Sequence, residues 1–80
     1  MKSLLYLLEY KVLSRDDYPR TGQFVTGPDN HYIWEVLSET SLDLYCKYRE
    51  FNGKKYRYIH LHKKNWCGYH ILPRPLDWVD

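Results

Sequence analysis

Hydrophobic positions along this chain recur mostly at a period of two. In the opening stretch Leu4, Tyr6, Leu8, Tyr10 and Val12 alternate with Leu5, Leu7, Glu9, Lys11 and Leu13, leaving one face strongly apolar. That pattern predicts a first strand. Glu9 and Lys11 end the apolar run far short of the ~20 residues that a membrane span needs. No small-residue cleavage site follows it, so the stretch is expected to be a strand of a soluble, cytoplasmic chain. Residues 14–22, SRDDYPRTG, read as loop, and Gln23 to Thr26 as a short strand closed by a Gly27-Pro28-Asp29-Asn30 turn.

Residues 30–40 fit two periods. Asn30 can cap a short helix in which Ile33, Trp34, Val36 and Leu37 face inward. Tyr32, Trp34 and Val36 can instead line one face of a strand. With a helix over 30–39 as the preferred reading, the expected fold is α+β, a small single domain; an all-β small barrel is the alternative.

The clearest pattern lies over residues 42–63, two β-rich runs around Asn52-Gly53. Asn-Gly between such runs predicts a two-residue type I′ turn. That turn pairs Phe51 with Lys54, Tyr48 with Arg57, Cys46 with Ile59 and Leu44 with Leu61. Leu42, Leu44, Cys46, Ile59 and Leu61 should then face the core. The opposite face pairs Arg49 with Tyr56, Lys47 with Tyr58, Tyr45 with His60 and Asp43 with His62, and is expected to be exposed or to bind something. A second turn at Lys63-Lys64-Asn65-Trp66 leads to a strand over 66–72, which would set Cys67 opposite His62, Tyr69 opposite His60 and His70 on the core side. Pro73 and Pro75 end it, and Leu76, Trp78 and Val79 should pack back on the core.

Composition agrees with sheet. The 80 residues include nine Tyr, three Trp and two Phe but no Ala, a bias away from helix bundles. One domain of this size shields roughly 60–65% of its unfolded surface, enough to fold but too little for a deep substrate cleft as well. Two cysteines, Cys46 and Cys67, do not make a disulfide framework and read as reduced thiols.

Charge changes the picture. Residues 45–64 hold seven of the twelve Lys/Arg and a single acid, Glu50. A total of +2 therefore hides a local +6, with −3 before it and −1 after it. Such asymmetry marks an interaction surface. Four kinds of chemistry are compatible with the residue types around it. Asp43, His62 and Cys67 form a row with the residue types of a thiol nucleophile, its base and an orienter. Neighbours on an open sheet face lack oxyanion donors and water exclusion, so a polar cross-strand row is the better reading. His60, His62, Cys67 and Asp43 are acceptable zinc ligands. However, His70 points away from them and there is no C-x2-C pair, so these are read as exposed sheet residues. Neither an enzyme nor a metal or other cofactor is expected.

Binding fits better. Tyr45, Tyr56, Tyr58 and Tyr69 among Lys47, Arg49, Lys54, Lys55, Lys63 and Lys64 have the parts to stack bases and track phosphates. A pI of about 8.5 falls short of the >9 of dedicated nucleic-acid binders. Tyr and Arg also carry hot spots at protein interfaces, and the cations would complement an acidic surface. The acidic N-terminal half, with Asp16, Asp17, Asp29, Glu35 and Glu39, could instead meet a basic partner. The expectation is a non-enzymatic protein that binds, and inhibits or modulates, a protein or ribonucleoprotein. Tyr45, Lys47, Arg49, Lys54, Lys55, Tyr56, Tyr58, His60, Lys63 and Lys64 form its binding face. Single-stranded nucleic acid is the alternative partner, and no membrane is involved. Short, Tyr-rich and without a cofactor motif, the chain is similar in general character to small phage-encoded inhibitors of host machinery, including anti-CRISPR proteins. The resemblance is one of size and composition and rests on no motif.

Overall fold

The computed structural model describes residues 11–80. They form five antiparallel strands: β1 Phe24–Thr26, β2 Tyr32–Glu39, β3 Asp43–Glu50, β4 Arg57–His62 and β5 His70–Leu72. The spatial order is β4-β3-β2-β1-β5, a single open sheet. Among the described residues it is not closed into a barrel, since β4 and β5 lie at opposite edges. The first strand expected from Leu4 onwards lies outside the described residues except for its last positions. There Val12 bridges His70 and Ile71 N donates to Lys11 O at 2.9 Å, so residues 11–13 run along the outer edge of β5. Residues 14–22 are loop, as expected, and the 27–30 turn closes with Asn30 N donating to Gly27 O at 3.0 Å.

The helix expected over 30–39 is corrected to strand β2, and no helix occurs among the described residues. β-Branched and aromatic residues favour the pleated form, and the sheet is covered on both faces. Ile33 is buried on one side, Val36 on the other with Trp34 packed beside it. Apolar residues on both faces mimic helical spacing. A bulge then passes over Leu37, so that Val36 faces Cys46 and Ser38 faces Tyr45.

The β3–β4 register is the one the Asn-Gly position predicts, with Tyr48 opposite Arg57, Cys46 opposite Ile59 and Leu44 opposite Leu61. The turn itself differs. A type I′ turn needs positive φ at both central residues, whereas positive φ occurs only at Gly22, Asn30 and Gly68 among the described residues. Instead Gly53 N donates to Glu50 O at 2.9 Å, while Phe51 N donates to His31 O at 2.9 Å. The loop over 51–56 is drawn towards the start of β2, and the ladder stops at Tyr48–Arg57.

The chain after β4 also departs from expectation. Asn65 N donates to His62 O, closing the predicted turn, but a second turn follows at once, with Tyr69 N donating to Trp66 O and Gly68 at φ 85°. Residues 63–69 thus carry the chain from one sheet edge to the other, and β5 pairs with β1 rather than with β4. This crossover lays Trp66 on the sheet, where it is fully buried with Leu13, Val25, Val36, Leu44 and Cys46. The second face holds a smaller cluster of Phe24, Ile33 and Trp78. Leu42 and Ile59, expected in the core, are exposed, as are Leu76 and Val79. Of the tail's apolar residues only Trp78 is buried.

Candidate functional site

The β3–β4 ladder sets Tyr45 opposite His60 and Lys47 opposite Tyr58, as expected. Alternation along β3 sends Tyr45, Lys47 and Arg49 to one face. That face, expected to be exposed or to bind something, is covered by the chain's own C-terminal segment. Lys47 and Arg49, expected to be exposed, are buried at 5% and 3% exposure. A charge can be buried only where partners compensate its lost hydration, and those partners come from residues 77–79 and the 50–53 turn.

Arg49 uses its planar fork in two directions. Nη1 donates to the carbonyls of Glu50, Phe51 and Gly53 at 3.0, 2.7 and 3.1 Å, which holds the turn in its non-I′ form. Nη2 donates to Asp77 Oδ1 at 2.8 Å. Lys47 Nζ donates to Val79 O and lies 4.6 Å from the centre of the Tyr56 ring. Between these cations sits Trp78. Its indole meets Phe24 and Tyr56 edge to face at 5.2 and 5.0 Å, and its Nε1 donates to Glu35 Oε1 at 2.7 Å. Tyr56 closes the cleft, its hydroxyl accepting from Val79 N at 3.1 Å. Beside the tail runs a groove of about 450 Å³ lined by Ile33, Arg49, Phe51, Leu72, Pro75 and Leu76.

The remaining expected residues divide. Tyr58 and His60 are exposed on β4, and half-buried Tyr45 stacks with Tyr58 at a centroid distance of 6.0 Å and lies tilted against His60 at 4.5 Å. Lys54, Lys55, Arg57 and Lys64 are exposed. Lys63 belongs to the other face, where its Nζ lies 3.4 Å from Glu39 Oε1 and 4.7 Å from the Tyr18 ring centre. Arg20 bonds the same carboxylate at 3.2 Å and is the main reason that its pKa falls below the ordinary value.

The cysteine row does not assemble. Asp43 and His62 are cross-strand neighbours, but Cys67 lies in the Trp66–Tyr69 turn, outside any strand paired with β4. Lys64 N donates to His62 Nδ1. Among the described residues no three of His, Cys, Asp and Glu converge as a metal site. Both cysteines are free thiols, Cys46 buried and Cys67 exposed.

Sequence reasoning missed Asp77, Trp78 and Glu35 as the partners of the basic face. A signal existed: Trp78 follows two prolines and is flanked by Asp77 and Asp80, opposite in charge to the segment that it covers. Compared with protein-family models, curated protein sequences and solved structures, the chain matches none.

Proposed function

We propose that this chain is a non-enzymatic binding protein that engages an acidic macromolecular partner, a protein or ribonucleoprotein, along the β4 edge. The observation that carries this reading is the outer edge of β4. It is six residues long, its first four residues are exposed, and no described strand pairs with it. Edge strands are usually blunted by proline, bulges or cover; β4 contains no proline and its pairing with β3 is regular. The opposite edge, by contrast, is lined by residues 11–13.

An extended segment of the partner would add to β4 through main-chain hydrogen bonds. Tyr58, 54% exposed, and Ile59, 38% exposed, supply apolar contact on the two faces. Lys54, Lys55, Arg57 and Lys64 surround the strand without an acidic partner among the described residues. They would speed association with an acidic segment and make it salt-sensitive. Capturing a partner's strand in this way blocks its other uses, which is how a binder this small inhibits.

Single-stranded nucleic acid is the second reading, favoured by the Tyr45–Tyr58–His60 cluster. The rings are turned largely against each other, which leaves fewer faces for bases to stack on. The deciding experiment is capture from lysate at low and moderate salt, with nuclease-treated lysate alongside, by the wild type and by an Arg57→Glu/Tyr58→Glu variant. Recovery that survives nuclease and is lost in the variant supports the β4 reading. Loss on nuclease treatment puts nucleic acid first. Equal recovery by both chains removes β4 from consideration.

A further inference from the structure

The C-terminal segment is built as a portable unit. It is held together from within: Trp78 N donates to Pro75 O at 3.2 Å, Arg74 Nη2 donates to Trp78 O at 3.3 Å, and Arg74 pairs with Asp80. No backbone–backbone hydrogen bond joins residues 73–80 to the rest of the described chain. Its hold on the sheet passes through side chains and centres on one buried residue, Trp78, while Leu76, Asp77, Val79 and Asp80 stay exposed. The connection from β5 is Pro73-Arg74-Pro75, whose fixed proline φ angles favour an extended strap over a folded one.

The cleft, in turn, is specific. Two buried cations, Lys47 and Arg49, an acceptor on Glu35 and the Phe24 and Tyr56 rings meet an aspartate, an indole and a carbonyl in one register. The segment shown to fit it is Asp77-Trp78-Val79, and every copy of the chain carries one.

We propose that this segment is exchanged between copies: residues 73–80 of one chain seat in the Phe24–Glu35–Lys47–Arg49–Tyr56 cleft of a second chain, reciprocally, in a two-fold dimer. Every interaction that the tail gives up in its own chain is remade in the second, so the net cost is that of association alone. A short tether holds its own tail at an effective concentration on the order of millimolar. The wild type is therefore monomeric when dilute and exchanges as its concentration approaches that range. Exchange would place two β4 edges in one particle, but the inference stands without the β4 reading.

Two variants test it. Deleting Pro73 alone shortens the strap by about 3.5 Å and keeps the Arg74 contacts with Trp78 and Asp80, so the tail no longer seats in register in its own cleft. The expected product is a dimer at micromolar concentration by light scattering, with total tryptophan emission no further to the red than that of the wild type. A monomer with a solvent-exposed indole would overturn the proposal. Full-length Trp78→Ala, with its anchor gone, should bind a fluorescein-labelled peptide of residues 73–80 at least about tenfold more tightly than the wild type, whose own tail competes. Equal affinity for both chains would overturn it too. Should either variant fail to fold, sedimentation of the wild type from micromolar to millimolar concentration decides, a constant monomer mass counting against exchange and a rise to dimer mass supporting it.

Discussion

Arg49 and Asp77 are joined at 2.8 Å across very unequal surroundings, the guanidinium side chain 2% exposed and the carboxylate 73% exposed. The two residues should therefore be unequal in stability. Arg49→Met strands three turn carbonyls and unties the tail, with an expected loss of about 2–4 kcal/mol. Asp77→Asn leaves the guanidinium its three carbonyl bonds, and solvent screens what it loses, so about 1 kcal/mol or less is expected. Urea unfolding of both variants checks the ratio; comparable losses would show that the tail, not the turn, stabilises Arg49.

Trp66 is the plug of the crossover, fully buried and edge to face with Trp34 and Tyr69 at 6.0 and 5.0 Å. Its indole Nε1 is buried without a hydrogen-bond partner among the described residues. Trp66→Ala should cost about 3–5 kcal/mol. Trp66→Phe should cost less than about 1.5 kcal/mol, because it removes an unsatisfied donor along with the apolar area. Thermal unfolding separates the two, and a Phe variant as unstable as the Ala variant would reveal a partner for the indole N–H.

The two glycines of the turns should behave in opposite ways to what the sequence alone suggests. Gly53 has no positive φ, so Gly53→Ala meets only a close approach to Glu50 Cβ at 3.1 Å. With the unfolded chain stiffened in compensation, its stability should stay within about 1 kcal/mol of the wild type. Gly68 sits at φ 85°, and an added Cβ meets nothing closer than Pro28 Cγ at 3.4 Å. Gly68→Ala should cost about 1–2 kcal/mol from backbone conformation alone. Chemical denaturation of the pair gives the order; a larger loss at Gly53 would point to a type I′ turn in solution.

What was legible follows from how local each determinant is. The β3–β4 register was readable because two alternating runs around Asn52-Gly53 allow one pairing that keeps Leu44 and Cys46 inward. The turn conformation was not, because Arg49, three residues upstream, rebuilds it from beneath. Strand β2 was ambiguous because Ile33 and Val36 are buried on opposite faces, which blurs the period-two signal. The alternation that sets Tyr45, Lys47 and Arg49 on one face was legible, but the covering of that face was not. Its cover arrives from residues 77–79, roughly thirty positions later, and depends on one tryptophan. The partner of β5 was hidden for the same reason: the crossover through Trp66 satisfies a long-range core that no local pattern encodes.

Cys46 offers a test of the main core through pH. Burial pushes its thiol up from 9.0 to about 12 in the folded state, while the unfolded chain titrates near the ordinary value. Below pH 9 both states hold the proton and the group has no effect on pH dependence. Between pH 9 and about 12 the unfolded chain releases a proton that the folded chain keeps, so stability falls as pH rises, by up to about 1.4 kcal/mol per pH unit from this group. The informative quantity is the difference between the wild type and Cys46→Ala, which isolates this thiol. The variant should be less stable at pH 7, from the lost packing, and the gap should narrow steadily above pH 9. A thiol reagent gives the kinetic counterpart: Cys67 should react in the native protein at pH 8, and Cys46 only when the sheet opens. Rapid labelling of both, or a gap that stays constant with pH, would mean that the β2–β3 core admits solvent.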